Sequence, residues 1–464
     1  MEDKYTKYIR DGIAYIPYGT KVIEADAFCN CQEIKGAVIP NTVKIIEGFA
    51  FNGCISLDDI EIPNSVCIIG EAAFAYSGLK HIDLPESVSQ VGGGAFAGTD
   101  LVDIVIPSSV NIIEESTFEQ CKCLKKVDLP DGLECIGDSA FSMCESLVSI
   151  TIPDSVRSIG VMAFAGCKSL TKLQIPSGIS SIGEMAFSMC TGINSVENFS
   201  ICYHAINNCL IKHDELIFGC KDSFIPKDSG IRIIKKQSFF WQNIQTLEIP
   251  WGVRIIEDQA FSCCKQLTHI ELPYSLETIE GNPFSYCSQL SSIQADGHFL
   301  YGSFVSEGNC LLDLDKTILY VGCKNSEIPY TVKELHHEAF LGSGIERIHI
   351  PRSVEIIGNN VFKDCKSLVS VHIPSSIIRW GYGVFSGCYN LRTIEFFVER
   401  PSLLCHKVKK DFVEGLDLSQ ITLVVPIGSG YEYRNDSVFS DCKEILPQLR
   451  KEDPLPPLQP DHLF

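Results

Sequence analysis

No stretch of this 464-residue chain approaches the roughly 20 consecutive apolar residues that span a bilayer. The opening Met-Glu-Asp-Lys-Tyr-Thr-Lys-Tyr-Ile-Arg holds no apolar run of the kind a signal peptide needs. Basic residues are in deficit: 38 Lys and Arg against 58 Asp and Glu leave a formal net charge of −20. Surfaces that grip duplex nucleic acid or anionic membranes are basic, so neither is an expected partner. Catalytic signatures are missing too: there is no H-E-x-x-H, no G-x-S-x-G and no calcium loop. Gly92-Gly93-Gly94 lacks the Gly-Lys-Ser/Thr ending of a phosphate loop. Twenty-two cysteines fall short of the roughly 8–10% density of small disulfide frameworks. None of the close pairs Cys29/Cys31, Cys121/Cys123 and Cys263/Cys264 has the paired C-x₂-C spacing of a zinc ribbon. Disorder is excluded as well, because 45% hydrophobic residues suffice to offset ordering entropy.

What the chain has is a repeat. From Pro130 it reads PDGLECIGDSAFSMCESLVSITI, and from Pro153 PDSVRSIGVMAFAGCKSLTKLQI. The period is marked by Phe28, Phe51, Phe74, Phe96, Phe118, Phe141, Phe164 and Phe187, then Phe239, Phe261 and Phe284, then Phe340, Phe362 and Phe385. Within each block the step is 22 or 23 residues, and fourteen of the 26 Phe lie on this ladder. The consensus is I-P-x-S-V-x-x-I-G-x-x-A-F-x-x-C-x-S-L-x-x-I-x-I-P. Its L-x-x-I-x-I ending alternates as a strand does, and the following Pro stops that strand. V-x-x-I supplies a second apolar edge, and Gly70, Gly137, Gly160, Gly183 and Gly358 mark a bend. A unit this short cannot bury its own apolar side, so the coils must stack into a solenoid.

Cysteine follows the same register. Ten coils carry Cys three residues after the Phe; the other four carry Ser77, Thr99, Gln242 and Ser343 there. Those four are also the coils whose Phe-to-Leu/Ile turn is one residue shorter, as in Phe74 to Leu79. The ladder cysteines therefore read as buried packing thiols, not as bridges or metal ligands.

On these motifs the chain resembles the BspA-like leucine-rich repeat family of bacterial surface proteins, from about Ile13 to Phe397. The resemblance implies a curved, right-handed β-solenoid of about fourteen coils with parallel strands side by side on a concave face. It also implies a binding or adhesion surface and an extracellular setting. The chain's start without a signal and its many thiols, which suit a reducing compartment, pull the other way, so localisation stays open.

Two segments break the rhythm with similar sequences, Asn208-Cys-Leu-Ile to Gly-Cys-Lys221 and Asn309-Cys-Leu-Leu to Gly-Cys-Lys324. Apolar runs around polar centres at Lys212–Glu215 and Asp313–Thr317 predict a β-hairpin in each. Cys209/Cys220 and Cys310/Cys323 would not stand directly opposite in a symmetric hairpin, which disfavours bridging. The expected organisation is a flank (1–12), repeats (13–197), a hairpin insertion (198–224), repeats (225–294), a second insertion (295–327) and repeats (328–397). A cap (398–450) resembling a closing repeat at Ile421-Thr-Leu-Val-Val-Pro and a Pro-rich tail (451–464) complete it.

The informative surface is the fifth position of L-x-x-I-x-I. Seven of its thirteen residues are acidic: Glu61, Asp83, Asp128, Glu197, Glu248, Glu271 and Glu395. The overall composition of 58 acidic residues in 464 would give between one and two. At the ~4.8 Å strand spacing this column forms a negative stripe, which reads either as a steering surface for a basic protein segment or as a solvated face that keeps the array soluble. His349 and His372 share the column on successive coils, and two imidazoles alone make a poor metal site. Trp241, Trp251, Tyr274, Tyr330, Trp380 and Tyr382, several of them near the proline turns, offer another candidate surface, with Trp251, Tyr274 and Trp380 as rim contacts or packing residues. Cys405 beside His406 is too close in sequence to pose as a Cys–His nucleophile pair.

The reading is a non-enzymatic protein-binding or adhesion molecule, with no cofactor and no metal, holding a protein ligand on its concave face. That ligand would be a basic segment or a host surface or matrix protein. A glycan-binding protein using the rim aromatics and a structural spacer are the alternatives. Ligand identity and oligomeric state are beyond the sequence.

Overall fold

The computed structural model of the chain describes residues 6–227, 229–295, 302–403 and 412–448. The Pro-rich tail, Cys405 and His406 lie outside them. Two compact units, Met1–Phe224 and Ile225–Phe464, divide the chain. Each is a β-solenoid of parallel strands, built from the same coil.

One coil has two short strands and a turn. The L-x-x-I-x-I strand is seen in Lys172–Ile175, which pairs in parallel and in register with Ser195–Asn198 of the next coil. The V-x-x-I segment is a strand in its own right and not merely an apolar edge. Val22–Ile23, Ile45–Ile46, Ile68–Ile69 and Gln90–Val91 form one parallel ladder in the first unit. Ile112–Ile113, Cys135–Ile136, Ser158–Ile159 and Ser181–Ile182 form another. The glycine that follows is required by space: a Cβ on Gly70 would lie 2.5 Å from the backbone N of Gly48 in the preceding coil.

The turn carries the Phe ladder. Phe28 to Phe187 stack ring on ring, with centroids 5.1–5.8 Å apart and planes within 14°. In the second unit Phe239–Phe261–Phe284 and Phe340–Phe362–Phe385 repeat the arrangement. Backbone bonds run alongside, as Phe51 N–H donates to Ala73 O at 2.7 Å. To present the ring inward, the chain turns left-handed two residues before and two after it, at Ser139 (φ 54°) and Met143 (φ 60°) around Phe141.

The ladder cysteines do more than fill space. All but Cys31 of the first coil donate the S–H to the Phe carbonyl of the preceding coil, from Cys54 to Phe28 (3.0 Å) through Cys167 to Phe141 (3.2 Å) to Cys388 to Phe362 (3.0 Å). The thiol thus satisfies a carbonyl that the turn buries. In the shorter turns a hydroxyl serves its own coil: Ser77 donates to Phe74 O and Thr99 to Phe96 O. The described cysteines carry free thiols. Cys209 faces Gly219 across its hairpin and not Cys220.

Each insertion has three strands where two were expected. His204–Ile206, Cys209–Lys212 and Glu215–Gly219 form an antiparallel meander in the first unit. Phe304–Glu307, Cys310–Asp313 and Ile318–Val321 form its counterpart in the second. The extra connections are tight two-residue turns with positive φ at Asn207-Asn208 and Gly308-Asn309. On the turn side the second meander is bypassed, because Tyr286 N–H donates to Leu341 O and Asn282 Nδ2 to Glu338 O.

After Phe397 the sheet continues where the sequence rhythm fails. Thr422–Val425 and Glu444–Pro447 extend the ladder of Arg347–His349, Ser370–Ile373 and Thr393–Phe396. Tyr433, Phe412 and Phe439 replace the ladder Phe and cluster with Phe396. Tyr433 Oη donates to Val398 O at 2.8 Å.

Candidate functional site

Residues of the acidic column lie on the solvent side because strand alternation turns their neighbours into the core. Around Gln174, Leu173 and Ile175 are buried while Gln174 is exposed. The column is not an unbroken stripe. Segments 58–62, 80–84 and 148–152 are not strands, so Glu61 and Asp83 sit outside the regular ladder. Three of its carboxylates are partnered by lysine: Asp128 by Lys126 (2.6 Å), Glu197 by Lys172 (2.7 Å) and Glu248 by Lys227 (2.7 Å). The Lys172 ammonium, helped by the Gln174 amide, holds the Glu197 carboxyl below its ordinary range. Glu248 in turn raises the Lys227 ammonium. Glu248 and Glu271 stand directly side by side in register. Among the described residues Glu61, Asp83, Glu271 and Glu395 form no ion pair. The uniform stripe expected from spacing is therefore reduced to separate open acidic patches.

His349 and His372 do meet, in register on adjacent strands, with ring centroids 3.9 Å apart and planes 24° from parallel. Imidazole lone pairs lie in the ring plane, so stacked rings do not converge on a shared ion. Among the described residues no group of three His, Cys, Asp or Glu is arranged to hold a metal. His372 also packs on Phe397 at 4.4 Å and pairs in register with Glu395.

These rings border a groove on the strand face of the second unit. It measures about 570 Å³, crosses three successive strands and is lined by Arg347, His349, His372, Glu395, Glu327 and Tyr330. Tyr330, one of the candidate aromatics, reaches it from the proline turn at Pro329.

The rim aromatics divide. Trp251 and Tyr274 are exposed. Trp380 is half-buried, edge-on to Phe412 at 5.2 Å, and belongs to the packing of the C-terminal coils, not to an open rim. Trp241 is half-buried beneath Lys265, whose Nζ lies 4.3 Å from the ring centroid. Among the described residues no helix is long and apolar enough to cross a membrane.

Comparison with known proteins agrees with the coil. A family profile described as a BspA type leucine rich repeat region, in 6 copies, matches residues 13–125, 111–221, 218–301 and 319–446. A solved leucine-rich repeat protein from Bacteroides ovatus is 26% identical over 83% of this chain and 87% of its own, with a TM-score of 0.41. A leucine rich cell surface protein from Faecalibacterium prausnitzii is 26% identical over 83% and 88%, with a TM-score of 0.48. The pneumococcal vaccine antigen PcpA is 18% identical over 95% of both chains, with a TM-score of 0.42. No curated protein matches the chain.

Proposed function

The chain belongs to the BspA-type leucine-rich repeat family, and on that premise we propose that it is a non-enzymatic binding protein holding a protein ligand on its strand face. One observation carries the reading: the groove across Arg347–His349, Ser370–Ile373 and Thr393–Phe396. Tyrosine and arginine are the side chains that most often anchor protein interfaces, and Tyr330 and Arg347 line it together. The open acids of the same unit, Glu271 and Glu395, add a pull on a basic segment. Glu248 contributes less to that pull, being already matched by Lys227.

Short Lys/Arg-rich peptides on a biosensor test both parts. Replacing Glu271 and Glu395 with Gln should slow association and flatten its salt dependence. Tyr330→Ala should speed dissociation instead. Unaltered kinetics in both variants would reject the strand face as the binding surface.

A further inference from the structure

The residue after each coil's proline sits at a turn that core packing leaves free to vary. In the first unit the first coil has Tyr18 there, and from the second coil on the residue is small or acidic: Asn41, Asn64, Glu86, Ser108, Asp131, Asp154 and Ser177. In the second unit it reads Lys227, Trp251, Tyr274, Tyr330, Arg352 and Ser375. The same edge of the coil thus changes to aromatic and basic. Trp251 is 65% exposed and Tyr274, one coil on, is 43% exposed.

Beside Trp251 lies a groove of about 370 Å³ within the second unit, lined by Lys227, Arg232, Trp251, Arg254, Ser275 and Glu277 among others. Arg232 and Arg254 come from successive coils, joined where Arg254 N–H donates to Arg232 O at 2.8 Å. Glu277 holds Arg254 Nη1 at 3.0 Å, and Glu248 holds Lys227 Nζ at 2.7 Å. With those two cations matched, Arg232 is the lining cation that makes no ion pair among the described residues, and Arg254 keeps guanidinium N–H groups beyond the one Glu277 holds. The indole is carried on a fixed turn: Gly252 has φ 108°, and its N–H donates to Ser275 Oγ at 2.9 Å.

We propose that this groove binds a carboxylated saccharide. The exposed indole face offers a flat apolar platform to the C–H face of a pyranose. The planar guanidinium forks of Arg232 and Arg254 match a carboxylate in a way a neutral sugar cannot exploit. The lining spans three coils, about 10 Å at the strand spacing. That is room for one or two sugar rings and short for an extended acidic peptide. The site lies on the turn edge and shares no residue with the strand-face groove, so either can fail alone.

Calorimetric titration of the full chain with a glucuronate disaccharide, sialyllactose, lactose and polyglutamate tests this. One or both acidic sugars should bind, and which one does distinguishes a uronate from a sialate ligand. Lactose should bind at least about tenfold more weakly, the loss of a charge-assisted contact. Trp251→Ala and Arg254→Gln should each cost about tenfold while the thermal midpoint stays put, and Trp251→Phe should retain binding. The proposal is overturned if neither acidic sugar binds, if lactose binds equally, if polyglutamate binds as tightly as the acidic sugars, or if Trp251→Ala and Arg254→Gln leave affinity unchanged.

Discussion

On the turn side of the coil the same residues recur and make the same bonds, whereas on the strand side the solvent-facing position holds Glu, Asp, Val, Thr, Gln or His. The difference has a mechanical cause. A ladder Phe is sandwiched between the rings above and below at 5.1–5.8 Å, so a change in one coil is felt by both neighbours. A strand-face residue meets neighbours only through exposed tips. Recurrence therefore marks where the fold is held, and variety marks where a ligand can be selected.

Three changes would sharpen or break that contrast. The largest effect is expected from Phe141→Ala, which empties the gap between Phe118 and Phe164, each 5.3 Å away. Urea unfolding should show a loss of about 3–5 kcal/mol. Exposed Thr151→Ala, on the strand face of the same repeat, should stay within about 0.5 kcal/mol. Equal costs would erase the distinction.

An intermediate effect should come from alkali. Burial pushes the thiol of Cys121 up to about 11, and those of Cys54 and Cys365 up to about 12, from 9.0. Below about pH 9 these thiols are neutral in both the folded and the unfolded chain, so their contribution is intact. Above it the unfolded chain loses the protons first, and stability falls as pH climbs toward the folded values. The slope is at most about 1.4 kcal/mol per pH unit for each thiol. A urea midpoint unchanged between pH 9 and 10.5 would mean the ladder thiols are not buried as described.

The smallest effect concerns the turn's backbone. Gln120 is exposed and left-handed at φ 60°, a conformation costing an L-residue about 1 kcal/mol. Gln120→Gly should stabilise by roughly 0.5 kcal/mol once glycine's greater freedom when unfolded is subtracted. Destabilisation in a thermal melt would show that the side chain contributes more than the strain it imposes.

Much of the coil was legible because it repeats. Fourteen Phe at one step fix the register, and the Cys-to-Ser/Thr swaps tied to turn length locate the turn. The second ladder was missed because strands such as Ile45–Ile46 are two residues long, too short for alternation to register. The left-handed pairs flanking every ladder Phe but Phe284 had a signal in Gly94 and Gly98, which stand two residues either side of Phe96. The third strand of each meander had one too, in Asn207-Asn208 and Gly308-Asn309. The candidate site was less legible. Lys227 and Glu248 are 21 residues apart and meet only when coils stack, which turns part of an acidic column into matched pairs. Trp380 looked like a rim residue until Phe412 packed against it.

Local periodicity, then, was enough to dictate the coil, its Phe core and its outward column, since each follows from residues within one 22- or 23-residue step and its copies. Only the folded units decided which column charges are matched, that His349 and His372 stack, and where grooves open beside Tyr330 and Trp251. Apart from the Lys126–Asp128 pair within one strand, those outcomes depend on side chains meeting across coils, at distances that spacing along the chain does not encode.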